Sequence, residues 1–314
     1  MDLSETNPQR KYLSVNQYAE RRIVITTTTL KGRSYAKHSK RLLLATGKHG
    51  FILTFVLCTL VPFLWTLSTS LKTKQDILIY PPQLIPTNFT FDNYVKVYLE
   101  GGFSWYVMNS MFVTMLSVIL TVVASLFAGY AAARFEFPGK EMIMFLILAG
   151  MAIGRFANVI PMYFLSIKLN LFDTYTILVL SSAAFIIPLI TWLMQAYFKT
   201  IPRALEEAAR IDGCNSWTTF WKVLVPVMKP AIVAGIVISM ANAWNEFILA
   251  LTLTRSPEMR TVSVALNFFM TEYGVEWGAL SAASIISLLP ILIVFFLLQR
   301  YFIQGLTAGT LGSS

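Results

Sequence analysis

The sequence predicts an all-α polytopic membrane protein with six transmembrane helices, and three observations carry that prediction. Hydrophobic residues make up 56% of the 314 positions and charged residues 13%, about half the charged share of a soluble domain. Several apolar runs exceed the roughly 20 residues an α-helix needs to cross a bilayer. The net charge of +9 is unevenly spread: ten basic residues precede Phe51, namely Arg10, Lys11, Arg21, Arg22, Lys31, Arg33, Lys37, Lys40, Arg41 and Lys48. A basic chain can signal nucleic acid, but a cluster ahead of the first apolar run fits the positive-inside rule, with attraction to anionic lipid as a second effect. No nucleic-acid partner is expected.

The chain divides in order as follows. Residues 1–49 form a basic, cytoplasmic N-terminal arm with no sustained apolar stripe beyond a short turn near 35–44. No cleavable signal peptide is expected, because the first fifty residues are polar and basic; the first span then acts as an uncleaved anchor. Residues 50–303 form the membrane domain, with apolar windows at about 50–71, 105–133, 141–167, 174–198, 230–253 and 279–300. Residues 72–103 contain Pro81, Pro82 and Pro86 and no long apolar run, which suggests an extended lid on the outer face. Residues 304–314 are a short, Gly-rich cytoplasmic tail.

Charge sets the orientation. The predicted inner segments hold the ten arm residues together with Arg134, Lys140, Lys199, Arg203, Arg210, Lys222, Lys229 and Arg300, whereas the outer ones hold Lys72, Lys74, Lys96, Lys168, Arg255 and Arg260. That asymmetry places both termini in the cytoplasm. Cysteine is uninformative: Cys58 falls in an apolar span and Cys214 in a polar loop, so no disulfide framework is implied.

The polar loop, residues 199–229, is the most distinctive stretch. It reads as two short helices meeting at Gly213, which can take positive φ and close the first, with Pro202 suited to the first helical turn and Asn215 placed to cap the second. Trp217, Phe220, Trp221 and Leu224 fall at i, i+3, i+4 and i+7, an apolar stripe that calls for cover from the bundle base or from a soluble partner. The base is the preferred cover, because packing there would transmit motion into the spans.

Catalysis within the chain is not expected. Gly47-Lys48 lacks the upstream glycine and the hydroxyl residue of a phosphate-binding loop. The two histidines, His38 and His49, lie in or beside the arm, and no aspartate falls in a predicted span. Neither a metal site nor a Ser–His pair is available in the membrane domain.

Glu207-Ala208-Ala209, Asp212-Gly213 and Val223-Leu-Val-Pro226 together resemble the cytoplasmic "EAA" coupling loop of binding-protein-dependent ABC importer permeases. Phe137-Pro-Gly-Lys140, Ile201-Pro-Arg-Ala-Leu-Glu-Glu207, Ala243-Trp-Asn-Glu-Phe247 and Gln299-Arg-Tyr-Phe-Ile-Gln-Gly-Leu-Thr-Ala-Gly309 resemble the carbohydrate-uptake branch, the type that holds the smaller maltose-transporter permease. The resemblance runs in family order from about Trp105 to Gly309. It implies a type I ABC importer transmembrane domain, one half of a heterodimeric channel that imports oligosaccharide. The implied partners are a second homologous permease subunit, two ATP-binding subunits forming a homodimer, an extracytoplasmic solute-binding protein and the lipid bilayer of a bacterial inner membrane. No cofactor would be bound directly; ATP and Mg would sit on the partner ATPase.

By the same resemblance Glu206, Glu207, Ala208, Ala209, Asp212 and Gly213 would contact the ATPase, with Glu207 the leading coupling residue. Gly305, Leu306 and Thr307 would make a tail contact to it, although Thr310-Leu-Gly-Ser-Ser314 departs from the usual basic ending. Cys214 stands where the family usually has alanine.

Two ionisable residues fall inside predicted spans, Arg155 and Glu246. A charge at the bilayer centre costs about 2.5–3.5 kcal/mol even on lenient scales, so each needs a partner. Arg155 lies 155 − 141 = 14 residues beyond Glu141, and Glu246 lies 246 − 229 = 17 beyond Lys229. At about 1.5 Å per residue the two depths agree within one turn. An Arg155–Glu246 salt bridge would hold two spans together. If instead Arg155 lines the path, its charge would favour an acidic sugar such as an alginate-type uronate oligomer. Asn158, Tyr163, Asn242, Trp244 and Asn245 are the residue types expected along a sugar route, amides for hydroxyls and aromatic faces for pyranose rings. An ion-coupled secondary carrier is the rival reading, but one arginine and one glutamate are few for that chemistry, and no internal repeat is visible.

Overall fold

The computed structural model describes residues 48–271 and 274–311, with side chains except those of Glu100, Thr271 and residues 300–311. The arm ahead of Lys48 and the last three residues therefore lie outside the described residues. Helix α1, Lys48–Ser70, is long and apolar enough to cross a membrane. Its residues up to Trp65 form a unit of their own, and Phe51, Leu53, Phe55 and Leu64 on it are exposed.

From Thr66 onward the chain forms a second unit, built on two helices. Helix α4, Phe103–Arg134, and α7, Tyr175–Thr200, each run long enough to span. They lie parallel: Tyr175 Oη donates to Asn109 Oδ1 at their starts (2.8 Å), and Arg134 Nη2 donates to the Ile201 carbonyl at their ends (2.9 Å). A seam of small residues on α4 (Ser110, Thr114, Ser117, Thr121, Ser125, Gly129) is buried. Ser117 and Ser125 hydroxyls reach the Val179 and Ile187 carbonyls of α7 (3.4 and 3.2 Å). A Cβ built on Gly129 would stand 2.6 Å from Met194 Cβ, so the absent side chain is what lets the backbones approach.

Helix α11, Lys229–Trp244, packs across both, with Gly235 under the Met194 side chain. The core there joins Leu126, Ile190, Met194, Phe198, Phe220 and Leu224. Helix α14, Trp277–Leu311, completes the set and carries residues 305–307 in its last turns.

Two predicted spans are broken. The window 141–167 is not one helix: α5, Lys140–Ala149, continues as a short 3₁₀ turn to Ala152, then α6, Arg155–Lys168, leaves at 99°. Ile153 is extended (ψ 103°) between Gly150 and Gly154. A window this apolar on average hides such a break, because hydropathy does not report backbone direction. Depth counted along a straight helix from Glu141 therefore misplaces Arg155, which is the first residue of a new helix.

The window 230–253 likewise stops at Trp244 and resumes as α12, Ile248–Leu253. Here the side chains of Asn245 and Glu246 take backbone partners, Ala241 O (2.8 Å) and Leu249 N–H (3.1 Å).

The segment 72–103 is a folded cap over one end of the bundle, holding short helices α2, Lys74–Ile77, and α3, Asp92–Val95, followed by a π turn to Glu100. The Asn93 amide ties it down by donating to the Ser70 and Lys72 carbonyls (3.0 and 2.9 Å). At the same end α13, Val262–Asn267, is followed by a two-residue antiparallel pairing in which β1, Met270–Thr271, meets β2, Gly274–Val275.

Candidate functional site

The loop after α7 folds from local signals. Ile201 ends α7 in extended backbone, and α8, Ala204–Ile211, follows Pro202 and Arg203. Its C-terminus closes by a Schellman arrangement: Gly213 N–H donates to Arg210 O (3.0 Å) and Cys214 N–H to Ala209 O (2.9 Å), with Gly213 at φ 81°. Asn215 then caps the next helix, α9, Ser216–Thr219, through Thr218 N–H at 2.8 Å. Helix α9 runs through a π turn, Phe220–Leu224, into α10, Val225–Val227, and this arm meets α11 at 75°.

The six predicted coupling residues divide between two faces. Glu207, Ala208, Asp212 and Gly213 are exposed, whereas Ala209 and Glu206 are buried. Glu206 accepts from Arg134 Nε at 2.5 Å and from Tyr130 Oη at 3.4 Å. It is thus taken up inside the chain, buried where Glu207 is exposed, although both border one cleft with Arg134 and Arg210.

The aromatic stripe is divided too. Phe220 and Leu224 are buried in the bundle core, with the Phe220 ring against Tyr130 and Phe198 (5.1 and 6.4 Å). Trp217 and Trp221 remain exposed, flanking Phe127. Phe220 stacks on Phe127 of α4 as well, so the three aromatic rings of the stripe gather on that one residue, with the two tryptophans at its solvent edge.

The second constellation lies at the two helix breaks. Arg155 Nη1 meets Glu246 Oε2 at 2.6 Å, and Arg155 Nη2 donates to Asn242 Oδ1 at 2.9 Å. The guanidinium lies over the Phe185 ring at 5.7 Å. Glu246 is almost fully buried, while about a third of the Arg155 side chain is exposed. Asn158, one turn along α6, lines an adjoining cleft of about 230 Å³ with Gly150, Met151, Met162, Phe185 and Pro188.

The structure thus brings Arg155, Asn242 and Glu246 together and sets Asn158 beside them. Trp244 is buried and lines a different, apolar groove of about 680 Å³ with Met108, Met111, Met115 and Met240. Asn245 bonds within its own helix, and the Tyr163 ring packs on Phe172 (5.4 Å) toward the far end of α6. Neither joins the cluster. The side chains of Gly305, Leu306 and Thr307 lie outside the described residues.

Sequence reasoning passed over Arg134, Tyr130 and Asp173. Asp173 takes φ 60° between α6 and α7 and accepts from the backbone N–H groups of Arg255 (2.9 Å) and Ser256 (3.2 Å). Partial burial opposes its ionisation, but these hydrogen bonds and the Arg255 charge outweigh that and hold its carboxyl below the usual carboxylate range. The signal for all three was long-range contact, which periodicity does not carry. Among the described residues no His, Cys, Asp or Glu cluster could hold a metal ion.

A family model described as binding-protein-dependent transport system inner membrane component matches residues 122–308. The sulfoquinovosyl glycerol transport system permease protein SmoH of Agrobacterium fabrum is 33% identical over 80% of this chain and 88% of its own length. The arabinooligosaccharides transport system permease protein AraQ of Halalkalibacterium halodurans is 34% identical over 82% and 91%. A chain from a crystal structure of a bacterial ABC transporter involved in importing the acidic polysaccharide alginate matches with a TM-score of 0.70 at 24% identity, covering 83% of this chain and 96% of its own.

Proposed function

The chain belongs to the family of binding-protein-dependent transport system inner membrane components, and from that membership we propose how it works: as one half of a heterodimeric carbohydrate importer, driven by ATP hydrolysis on partner subunits. It is a multi-pass inner-membrane permease of an ABC importer, and the ion-coupled carrier reading falls away with that membership. The uneven spread of basic residues supports cytoplasmic termini.

The observation that carries the mechanism is α8. It offers Glu207 and Ala208 to solvent on a helix whose end is fixed by Gly213. A partner ATPase would grip that face, Glu207 pairing with a basic residue while the small Ala208 permits close backbone approach. Closure of two ATPase subunits on ATP and Mg would move α8. The bundle would then rock between access to the solute-binding protein and access to the cytoplasm, two bistable states biased from both ends. A tail contact through Gly305, Leu306 and Thr307 would add to the grip.

For the solute route, the breaks at Ile153–Gly154 and Asn245–Phe247 are the favoured place, because irregular backbone at membrane depth is tolerated where it lines a cavity. Asn158 supplies an amide to the cleft there, for a sugar hydroxyl. Arg155 alone would attract a carboxylate, but Glu246 matches its charge at 2.6 Å. An acidic oligomer would have to compete with Glu246 for the guanidinium, so we favour recognition of hydroxyls over recognition of charge.

The test is ATP hydrolysis by the reconstituted complex with the solute-binding protein, offered an arabino-oligosaccharide, trehalose or an alginate pentasaccharide in turn. Stimulation by one of these is expected, and loss of it with Glu207→Ala. No stimulation by any carbohydrate would overturn the importer reading. In Arg155→Ala, loss confined to the alginate oligomer would restore the acidic-sugar reading.

A further inference from the structure

At the base of the bundle one guanidinium joins three elements. Arg134 is the last residue of α4; its Nε donates to Glu206 Oε1 on α8 at 2.5 Å, and its Nη2 donates to the carbonyl of Ile201, the C-cap of α7, at 2.9 Å. The Arg134 and Glu206 side chains are 8% and 10% exposed. Tyr130, one turn earlier on α4, donates to the other Glu206 oxygen and sets its ring edge-on to Phe198 and Phe220.

A buried pair of this kind adds little stability over apolar side chains of the same volume, but it fixes geometry. Helix α8 has eight residues, too few to hold a position unaided. Beside it lies a cleft of about 240 Å³ whose border includes Tyr130, Arg134, Arg203, Arg210 and both Glu206 and Glu207. The ion pair ties α8 directly to the ends of α4 and α7, in addition to the packing of α8 on α9 and the Phe220–Leu224 turn.

We propose that Arg134 is a positioning residue of the coupling loop: it locks α8 to the ends of α4 and α7, so that a push on the exposed face of α8 moves the spans and does not bend the Ile201–Arg203 connection. The lock lies next to the docking face: Glu206 is buried against Arg134, while Glu207, about 100° around the helix, is exposed at the edge of the same cleft. The proposal rests on the importer reading for its purpose, but the rigidity it asserts is a property of this chain and can be measured apart from transport.

Spin labels at Thr200→Cys and Ile211→Cys, both exposed, in a Cys58→Ala, Cys214→Ala background would report the α7–α8 distance in the assembled complex. One narrow distance is expected, unchanged between nucleotide-free and vanadate-trapped states. Arg134→Gln should broaden it about twofold or more, and Arg134→Glu with Glu206→Arg should narrow it again, because the pair is then remade. Arg134→Lys, which keeps a charge but cannot fork to both partners, should fall between.

A distance as narrow in Arg134→Gln as in the parent would overturn the lock, as would a parent distance that shifts on vanadate trapping. If Arg134→Gln fails to assemble, Arg134→Lys and the charge swap decide. The importer reading is judged separately, by whether the solute-binding protein raises ATP hydrolysis in the unsubstituted complex.

Discussion

Glu206 and Glu207 are consecutive on α8 but meet different surroundings, the first buried against Arg134 and the second open to solvent. Rotation of about 100° per residue turns one pair of identical side chains into an internal tie and an external contact. A helix with two such faces can hold its own protein and another at once.

The two glutamates should therefore fail differently. Glu207→Ala should leave thermal stability within about 0.5 kcal/mol, as for other exposed positions, yet lower stimulated ATP hydrolysis in the complex. Glu206→Ala strands a buried guanidinium and should destabilise by about 3–5 kcal/mol. Thermal unfolding of both variants in detergent beside the ATPase assay separates them; equal melting temperatures would contradict the burial of Glu206.

Gly129→Ala should loosen the α4–α7 seam. Its new Cβ would meet Met194 Cβ at 2.6 Å and Gln195 N at 2.9 Å, and such overpacking costs typically 1–3 kcal/mol. Because the clash is with a Cβ and a backbone atom, Met194→Ala should not rescue it. Melting temperatures of the single and double variants check this.

The Arg155–Glu246 pair should show strong coupling. Arg155→Met leaves Glu246 buried with Leu249 N–H as its remaining hydrogen-bond donor, and Glu246→Gln leaves Arg155 without a counter-charge. Each single change should destabilise more than the double change, with an interaction energy of roughly 0.5–3 kcal/mol in a double-mutant cycle. Additive effects would mean that the two charges do not meet.

Asp173 should make stability depend on acid. Its folded pKa lies below the unfolded value, so its contribution is fully present above the usual carboxylate range and is lost as pH falls through the lower folded value. Asp173→Asn should melt below the parent at neutral pH, and the gap should close as the pH is lowered past that range. A gap independent of pH would mean that the charge is not what holds Arg255 and Ser256.

What could be read from the sequence was what the chain encodes locally or forbids outright. The Gly213 and Asn215 caps need only neighbours within five residues, and both form as expected. Arg155 and Glu246 could be paired in advance because apolar surroundings leave charged residues few choices. The bend before Arg155 was hidden, since Gly150 and Gly154 interrupt direction without interrupting hydropathy. Arg134 and Glu206 are 72 residues apart, and nothing in either neighbourhood names the other. The aromatic stripe meets the base of the bundle as its spacing suggested, Phe220 and Leu224 in the core and Trp217 and Trp221 against Phe127, but the two tryptophans keep an exposed outer side.

The hook from Ile211 to Asn215 sets its own bend through contacts a few residues apart. A partner docking on α8, as proposed, would therefore meet a surface already shaped, with no slack coil to freeze on arrival. Most of the ordering entropy that weakens flexible interfaces has been settled during folding. Such an attachment, if α8 is where a partner grips, could be released and remade without the loop having to refold each time.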